Sequence, residues 1–398
     1  MIIEPIIKGV VAKTAHPEGC KHAVQQQIDF VKSNKKTTKG PKRVLILGAS
    51  SGFGLSARIA ATFGGSEADT IGVSFERGPS EKGTGSAGWY NNIYFSQQAE
   101  AEGRTAINIV GDAFSQEVRT QVIEAIETYF EGEVDLVIYS LATGVRPKPS
   151  GEGLWRSAIK TIGESATGAT IILEDDSWQE TTVEPATEEE IDSTIKVMGG
   201  ADWESWIDTL INSDSIAQGG KTIAFSYIGP ELTYPIYHEG TLGRAKVDLH
   251  QTSHALNLKL AKIGGGAYAT VCKALVTKAS VFIPAFTPYI LALYKVMKAK
   301  GTHETCIHQM HRLFSDKLYA DTVPVDGQRL LRLDEHELDP NVQQQVKTIM
   351  NTMNADNFKQ VGDYQGYKDE FLKLNGFGFD TVNYSEFFDI EQLKKLEP

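Results

Sequence analysis

Between residues 43 and 262 of the 398-residue chain, short apolar runs alternate with longer segments whose apolar residues recur at helical spacing. Runs of this length are typical of buried strands, and the intervening segments are long enough for crossover helices. The alternation therefore predicts an α/β fold, a Rossmann-type doubly wound parallel sheet with helices on both faces. The predicted strands are 43–47, 70–75, 106–110, 134–139 and 221–227, and the predicted helices are 56–63, 116–130, 188–213 and 241–262.

Other parts of the chain do not follow this alternation. Residues 1–12 alternate like one or two short strands, and 19–35 has the pattern of an amphipathic helix, so an extension precedes the sheet through the linker 37–41. The acidic, Thr-rich stretch 145–190 predicts hairpins and loops. The segment 78–92 predicts a long loop, either a flap or a disordered insert.

We expect one Rossmann-like domain over 1–398. It consists of an N-terminal strand and helix extension (1–42), a nucleotide-binding core with inserts (43–280), and substrate-lining helices with a C-terminal segment (281–398).

The strand 43–47 runs into a glycine-rich turn with the spacing G-x-x-x-G-x-G, at Gly48, Gly52 and Gly54. Gly48 allows the sharp turn, Gly52 lets the backbone approach a pyrophosphate, and Gly54 lets the next helix pack closely on the strand. Free N–H groups at the start of that helix would face the anion. The unit is typical of dinucleotide-binding proteins, although methyltransferases use similar turns and a turn without a ligand is the alternative.

Two acidic residues follow predicted strands. Glu76 ends the second strand, where a carboxylate accepts hydrogen bonds from the adenosine ribose and repels a 2′-phosphate, so it favours NADH. Arg77 softens that preference. Asp112 follows the third strand and suits the adenine amino group, or it caps a helix that starts near Ser115.

The composition excludes several classes of protein. The net charge of −12 disfavours a nucleic-acid partner, because phosphate contacts need a basic surface. Three scattered cysteines form no disulfide framework, which favours a reducing cytoplasm. No signal peptide is evident, and the apolar stretch 279–294 is too short to span a bilayer. The pattern H-E-x-x-H would need a histidine where Ile307 stands, so no metal site is expected.

Tyr237 and Lys246 are the candidate proton donor and its partner. Short-chain dehydrogenases place the lysine four residues after the tyrosine, whereas eight residues separate this pair. The two converge only if the loop before helix 241–262 folds back. An ordinary tyrosine, with a pKa of about 10, suits proton transfer at neutral pH poorly. A lysine cation about 5 Å away would lower that pKa by roughly 2 units. The alternative is a surface tyrosine and a solvated lysine.

Over nearly its whole length the chain resembles the FabV-type enoyl-acyl-carrier-protein reductases and the related NADH-dependent trans-2-enoyl-CoA reductases. The spacing of Tyr237 and Lys246 is specific to this family. Ala201 departs mildly from the family pattern, in which an acidic residue is usual. The other matching segments are 15–20, 48–54, 88–91, 111–114, 196–200, 227–246, 273–280 and 375–378.

The resemblance implies a cytoplasmic, monomeric enzyme that reduces the trans-2 double bond of enoyl thioesters with NADH, the last step of the fatty acid elongation cycle. The acyl group would ride on acyl carrier protein or coenzyme A. Tyr237 would donate the proton, Lys246 would hold the nicotinamide ribose, and Tyr227 would contact the thioester carbonyl. The remaining NADH-lining residues would be Gly48, Ala49, Ser50, Ser51, Gly52, Phe53, Phe75, Glu76, Asp112, Ala113, Leu141, Ala142, Leu275, Val276 and Thr277.

The apolar segment 280–297 is expected to form a helix that lines the acyl channel, with plain core packing as the alternative. Two other functions stay open. A short-chain-dehydrogenase-type carbonyl reductase would act on an acyl thioester or another ketone, and a redox-inactive NAD-sensing protein would need neither the two tyrosines nor the lysine.

Overall fold

The computed structural model describes residues 1–36, 39–81 and 83–398. Two residues of the predicted linker, Thr37 and Thr38, and Lys82 of the predicted loop lie outside the described residues. The strands are β1 Ile7–Lys8, β2 Val11–Ala12, β3 Arg43–Leu47, β4 Asp69–Ser74, β5 Ala106–Val110, β6 Val134–Tyr139, β7 Val145–Pro147, β8 Leu154–Arg156, β9 Ala166–Ile172, β10 Ser177–Val183, β11 Ile216–Ser226, β12 Gly266–Val271 and β13 Leu331–Arg332. The helices are α1 Pro17–Ser33, α2 Gly52–Phe63, α3 Ala87–Ala101, α4 Gln116–Tyr129, α5 Glu188–Met198, α6 Ala201–Asn212, α7 Thr241–Ala261, α8 Thr287–Lys300, α9 Cys306–Arg312, α10 Pro340–Thr352, α11 Phe358–Val361, α12 Tyr364–Lys373 and α13 Ile390–Leu393.

Within the described residues, seven parallel strands form the main sheet in the order β13-β12-β11-β6-β3-β4-β5. The chain starts in the middle, winds outward through β4 and β5, and then returns to the other side through β6. Leu47 at the end of β3 pairs with Val73 of β4 and with Tyr139 of β6. The winding therefore reverses between β3 and β6, which is where open α/β sheets bind ligands. The predicted Rossmann-type sheet is confirmed.

Apolar layers cover both faces of the sheet. One layer includes Val24 of α1, Ile59 of α2 and Met310 of α9, all fully buried. The opposite layer includes Val122 of α4 and Trp206 of α6. Each strand of the sheet centre is thus buried on both sides, which explains why its sequence is an unbroken apolar run.

The strands predicted at 43–47, 106–110 and 134–139 are confirmed to the residue. The N-terminal extension forms the hairpin of β1 and β2 followed by α1, and the stretch 145–190 contains the hairpins β7–β8 and β9–β10, as expected. The strands β12 and β13 lie outside the predicted set. β12 begins at the last of three consecutive glycines, Gly264 to Gly266, and its residues Tyr268 and Thr270 alternate with alanines, so it has no aliphatic run.

Two helical predictions need correction. Residues 89–92 do not form a loop, because they lie in α3, where Tyr90 and Asn92 are fully buried or nearly so. The predicted helix 188–213 is two helices that break at Gly199 and Gly200. A Cβ atom on Gly200 would lie 2.0 Å from Thr252 Oγ1 of α7, so close packing on α7 requires glycine at the break.

The apolar segment 280–297 is also not one helix. A short 3-10 turn covers Ser280–Phe282, and α8 begins only at Thr287. Pro288 occupies the first turn of α8, where its missing N–H costs nothing, and Pro284 lies in the connection before it. The helix itself is buried among α10, α11 and α12.

Candidate functional site

The residues expected to bind the cofactor all follow strands of the main sheet. Gly48 follows β3, Phe75 follows β4, Asp112 comes shortly after β5, Leu141 follows β6, and Leu275 comes after β12. Because the strands are parallel, their carboxyl ends lie along one edge of the sheet. The structure therefore brings the predicted site together at that edge.

The glycine turn after β3 is shaped by close backbone contacts. Gly48 has φ +92°, and a Cβ atom on it would lie 2.2 Å from the carbonyl oxygen of Ser140 after β6. A Cβ atom on Gly54 would lie 1.9 Å from the carbonyl oxygen of Gly48. Neither position has room for a side chain, so the turn requires both glycines at the point where β3 and β6 diverge.

The start of α2 fits a pyrophosphate. Ser51 is the N-cap of α2, but its side chain makes no capping hydrogen bond, so the first backbone N–H groups of the helix keep their hydrogen-bonding capacity. Gly52 has φ +54°, and the nearest atom to a Cβ on it would be the Thr277 methyl group at 3.9 Å. An anion held here meets backbone donors and the positive end of the helix dipole.

At the adenosine end, Phe75 is 82% exposed and offers a free aromatic face. Glu76 beside it is held in place, because Ser50 Oγ donates to Glu76 Oε1 over 2.5 Å and Ser86 Oγ donates to Oε2. Lys278 Nζ lies 3.9 Å from the same carboxylate. A carboxylate keeps further lone pairs after accepting these bonds, so it can still accept from a ribose hydroxyl.

Asp112 is not a helix N-cap. Ser115 caps α4, since its side chain accepts a hydrogen bond from Val118 N, while Asp112 Oδ1 accepts from Phe114 N over 2.9 Å. Ala113 beside it is buried, and its carbonyl oxygen accepts from Trp206 Nε1. The turn that presents Asp112 is thereby anchored to α6.

Tyr237 and Tyr227 meet edge to face in the interior. Their ring centroids are 4.8 Å apart at an interplanar angle of 88°. The loop between β11 and α7 turns back on itself at Tyr237, because Tyr237 N donates to Thr233 O over 2.9 Å and Gly243 N donates to Tyr237 O over 2.8 Å. Tyr237 is 6% exposed, and no described residue forms a hydrogen bond with its hydroxyl group.

Lys246 lies on α7 with its amine 3.5 Å from the carbonyl oxygen of Phe225. Burial lowers the pKa of Lys246 to about 8. Burial also raises the pKa of Tyr237 above its ordinary value. The expectation that a lysine cation acidifies this phenol is therefore wrong for the chain by itself, since loss of water around the phenolate outweighs any attraction to the ammonium.

One residue at the site escaped the sequence patterns. Glu337 is fully buried and accepts hydrogen bonds from the hydroxyl groups of Tyr227 (2.9 Å) and Tyr289 (2.6 Å) and from the backbone N–H of Ala274 (2.8 Å). It lies in an irregular segment far along the chain, with no motif around it. Its sequence neighbours at 334–339 are mostly charged, and charged residues are almost always exposed unless they are paired, so nothing in the sequence marks Glu337 as a buried site residue.

The segment 274–277 after β12 is held by a second, partly buried carboxylate, that of Glu370. Val276 N donates to the Tyr294 hydroxyl over 3.0 Å, and that hydroxyl donates to Glu370 Oε2 over 2.5 Å. Thr277 N donates to Ser280 Oγ. The backbone expected to line NADH is thus held in place by side chains behind it.

Among residues 1–36, 39–81 and 83–398, no group of three or more His, Cys, Asp or Glu side chains is arranged to hold a metal ion. Across the same residues, none of the helices combines the length and apolar character needed to cross a bilayer.

Comparison with known protein families identifies the family to which this chain belongs. A family model described as the trans-2-enoyl-CoA reductase catalytic region matches residues 83–319, and the NAD(P)H binding domain of trans-2-enoyl-CoA reductase matches 2–81. The chain belongs to the trans-2-enoyl-CoA reductase family. The resemblance seen in its motifs is confirmed.

Curated relatives of this enoyl reductase align over its full length. An NADH-dependent enoyl-acyl-carrier-protein reductase 2 of Vibrio parahaemolyticus is 71% identical, with 100% of both chains covered. An NADH-dependent trans-2-enoyl-CoA reductase of Clostridium beijerinckii is 50% identical, again over 100% of both chains. The crystal structure of a Clostridium acetobutulicum trans-2-enoyl-CoA reductase in complex with NADH superimposes with a TM-score of 0.97 at 47% identity, covering 100% of both chains.

A third family model, described as an enoyl reductase FAD binding domain, matches residues 325–387 of the reductase. All of these residues are described. Their only strand, β13, is two residues long, and no glycine turn leads from it into a helix. Tyr364, Tyr367 and Phe371 of this segment are buried against α8. The segment therefore does not fit a flavin dinucleotide, which needs an open cleft and a phosphate-binding turn.

Proposed function

We propose that the chain reduces the trans-2 double bond of an enoyl thioester with NADH and releases the saturated acyl thioester. The observation that carries the proposal is the edge-to-face pair of Tyr227 and the buried Tyr237 at the carboxyl edge of a sheet whose first turn fits a pyrophosphate. Membership of a family of NADH-dependent enoyl reductases supports it.

NADH, when bound, supplies hydride for the β-carbon of the substrate. The pyrophosphate would lie on residues 48–53, and Phe75 and Glu76 would border the adenosine. Asp112–Ala113 and Leu141–Ala142 would line the adenine and its ribose. Lys246 would hold the nicotinamide ribose, and 275–277 would face the nicotinamide. For the residues other than Lys246, this assignment rests on their placement at or shortly after the carboxyl ends of parallel strands, and for Lys246 it rests on the family resemblance and on its contact with Phe225 O at the end of β11.

Tyr237 is the proposed proton donor. As hydride reaches the β-carbon, negative charge builds on the thioester oxygen, and a donor aimed at that oxygen stabilises the enolate more than the ground state. Burial raises the pKa of Tyr237, so the phenol is protonated at neutral pH. It would give this proton to the enolate, which gains a C–H bond at the α-carbon and becomes the saturated acyl thioester, and the phenolate would then regain a proton from solvent. Its hydroxyl group has no competing partner among the described residues.

Tyr227 and α8 complete the acyl side of the site. Tyr227 is proposed to border the thioester, and the ring of Phe286 lies near both tyrosines, with centroids 5.9 Å and 6.4 Å away. Apolar residues of this cluster continue into α8. An acyl chain bound there would contact apolar side chains, so no charged group would have to be moved or desolvated.

A spectrophotometric assay tests the proposal. NADH oxidation is followed with crotonyl-CoA and, separately, with acetoacetyl-CoA. Oxidation with the enoyl substrate alone supports the proposal, oxidation with the ketone alone supports a carbonyl reductase, and none with either supports an NAD-binding protein without this activity. Repeating the assay with crotonyl thioesters of acyl carrier protein and coenzyme A identifies the carrier.

We also propose that the enzyme works as a monomer in the cytoplasm. Support comes from its cysteines, since Cys20, Cys272 and Cys306 are all free thiols in the structure. Sedimentation at the concentration used for the assay measures the oligomeric state, and a dimer would contradict the proposal.

A further inference from the structure

Glu337 joins three separate parts of the active site. Its Oε1 accepts from Tyr227, which follows β11, and from Tyr289 of α8, while its Oε2 accepts from Ala274 N after β12. The residue is fully buried, so each of these bonds forms away from water. Hydrogen bonds to a buried carboxylate are stronger than those between neutral groups. Loss of any partner leaves a buried polar group without a hydrogen bond, which costs free energy.

The surroundings of Glu337 contain one other charged group close by. Lys273 is 2% exposed, and its Nζ donates to Ala274 O over 2.9 Å. The Lys273 cation favours the charged form of Glu337, whereas burial raises the pKa of that carboxyl above its ordinary value. Gln343 Nε2 donates to the Tyr289 hydroxyl and to the carbonyl oxygen of Glu337, so a neutral amide closes the cluster.

The bond to Glu337 determines what Tyr227 offers the substrate. A phenol has one proton, and the proton of Tyr227 is directed at Glu337. Tyr237, whose hydroxyl has no partner among the described residues, is then the phenol with a proton free for the enolate. The two tyrosines pack edge to face, so the position of Tyr227 also limits where the ring of Tyr237 can lie.

We propose that Glu337 is a positioning residue of the reduction, which acts through Tyr227 by holding its hydroxyl group and thereby keeping Tyr237 aligned for proton donation. This inference rests on the proposed function, because it presumes that Tyr237 donates the proton. It gives the segment 325–387 a role in catalysis that involves no flavin.

The experiment compares Glu337→Gln with the wild-type enzyme on crotonyl-CoA at saturating NADH. Glutamine keeps the volume, but its single acceptor oxygen cannot serve all three donors, since its NH2 group meets one of them. We expect kcat to fall about 10-fold, the size of one charge-assisted hydrogen bond. The dissociation constant of NADH should stay within about 2-fold, because Tyr294 and Glu370 still hold Val276.

A double-mutant cycle with Tyr227→Phe separates positioning from general loss of structure. If Glu337 acts through Tyr227, adding Glu337→Gln to Tyr227→Phe costs less than about 2-fold more in kcat, because the shared interaction is already gone. Glu370→Gln is the control, since Glu370 is a partly buried carboxylate that also accepts from a tyrosine of α8 but has no hydrogen bond with Tyr227. In the double variant with Tyr227→Phe, the fold-changes of the two single variants in kcat should multiply. Glu370→Gln should also raise the dissociation constant of NADH.

The outcomes distinguish the two proposals. A wild-type enzyme that fails to oxidise NADH with crotonyl-CoA overturns the proposed function before any variant is compared. An active wild type with unchanged kcat in Glu337→Gln, or with multiplicative effects in the cycle, overturns the positioning role alone. Should Glu337→Gln fail to fold, Glu337→Asp enters the same cycle, because it keeps the charge and withdraws the carboxylate from Tyr227 by one methylene.

Discussion

Ser50 Oγ donates a hydrogen bond to Glu76 Oε1 over 2.5 Å, which joins the phosphate-binding turn after β3 to the end of β4. Ser86 donates to the other carboxylate oxygen from the start of α3. A Cβ atom on Gly88 would lie 2.0 Å from Oε1, so α3 also packs directly on this carboxylate. Glu76 is therefore oriented before any cofactor arrives, and a fixed negative charge is an effective barrier to a 2′-phosphate.

Replacing Glu76 by alanine should relax the cofactor preference. Loss of the charge removes the repulsion and leaves Lys278 and Arg77 near the ribose, so we expect kcat/KM with NADPH to rise roughly 10-fold relative to NADH. Steady-state kinetics with both cofactors measure the ratio. Glu76→Gln is the matched control, since it keeps the shape and should relax the preference through charge alone. A ratio that stays at the wild-type value in both variants contradicts this account of selectivity.

Removing the hydroxyl group of Tyr237 should abolish most turnover without loss of cofactor. Proton donation by a positioned side chain contributes roughly 100-fold or more to rate, so Tyr237→Phe should lose at least that much in kcat. NADH affinity, measured by fluorescence titration, should remain close to that of the wild type because the ring still fills its place. Phe286→Leu, in the same apolar cluster, serves as a packing control. Unchanged turnover in Tyr237→Phe would refute the assignment.

NADH binding should weaken as pH rises through about 8. Burial lowers the pKa of Lys246 to about 8, so the ammonium is present below that pH and is lost above it. If the cation holds the ribose and attracts the anionic dinucleotide, affinity falls between about pH 7 and about pH 9. Titrations across this range measure it. Lys246→Arg stays charged and should show no such fall, and a flat profile in the wild type would mean that the amine does not contribute as a cation.

The glycine turn should tolerate no side chain at Gly54. A Cβ atom there would lie 1.9 Å from Gly48 O, so Gly54→Ala must push α2 away from β3. Overpacking of this kind costs roughly 1–3 kcal/mol in the free energy of unfolding, and here it also displaces the pyrophosphate donors. Thermal denaturation and NADH titration measure both effects. Gly83→Ala is the control, since among the described residues, its chain neighbours aside, no atom lies within 4 Å of the Cβ position. Equal behaviour of the two variants would contradict the argument.

The order of residues within short segments was enough to predict the central strands and the phosphate-binding turn of this protein. The strands 43–47 and 134–139 were predictable because both faces of the sheet centre are apolar, and the edge strand 106–110 because it is also a short, mainly aliphatic run. The glycine turn was predictable because its spacing reflects backbone geometry over a few residues. Those features, and the family-specific spacing of Tyr237 and Lys246, depend on neighbours in sequence. They were enough to predict that the cofactor binds at the carboxyl edge of the sheet, because the carboxyl ends of parallel strands all lie along the same edge.

Only the tertiary structure decided the rest. The break between α5 and α6 depends on α7, and the role of Glu337 depends on Tyr227, which lies 110 positions earlier. The pKa of Tyr237 depends on how completely the fold removes water from the phenol, which spacing alone cannot reveal. Burial, steric contact and hydrogen bonding between distant segments exist only once the chain has folded. They determine that Glu337 lies at the active site and that the pKa of Tyr237 is raised.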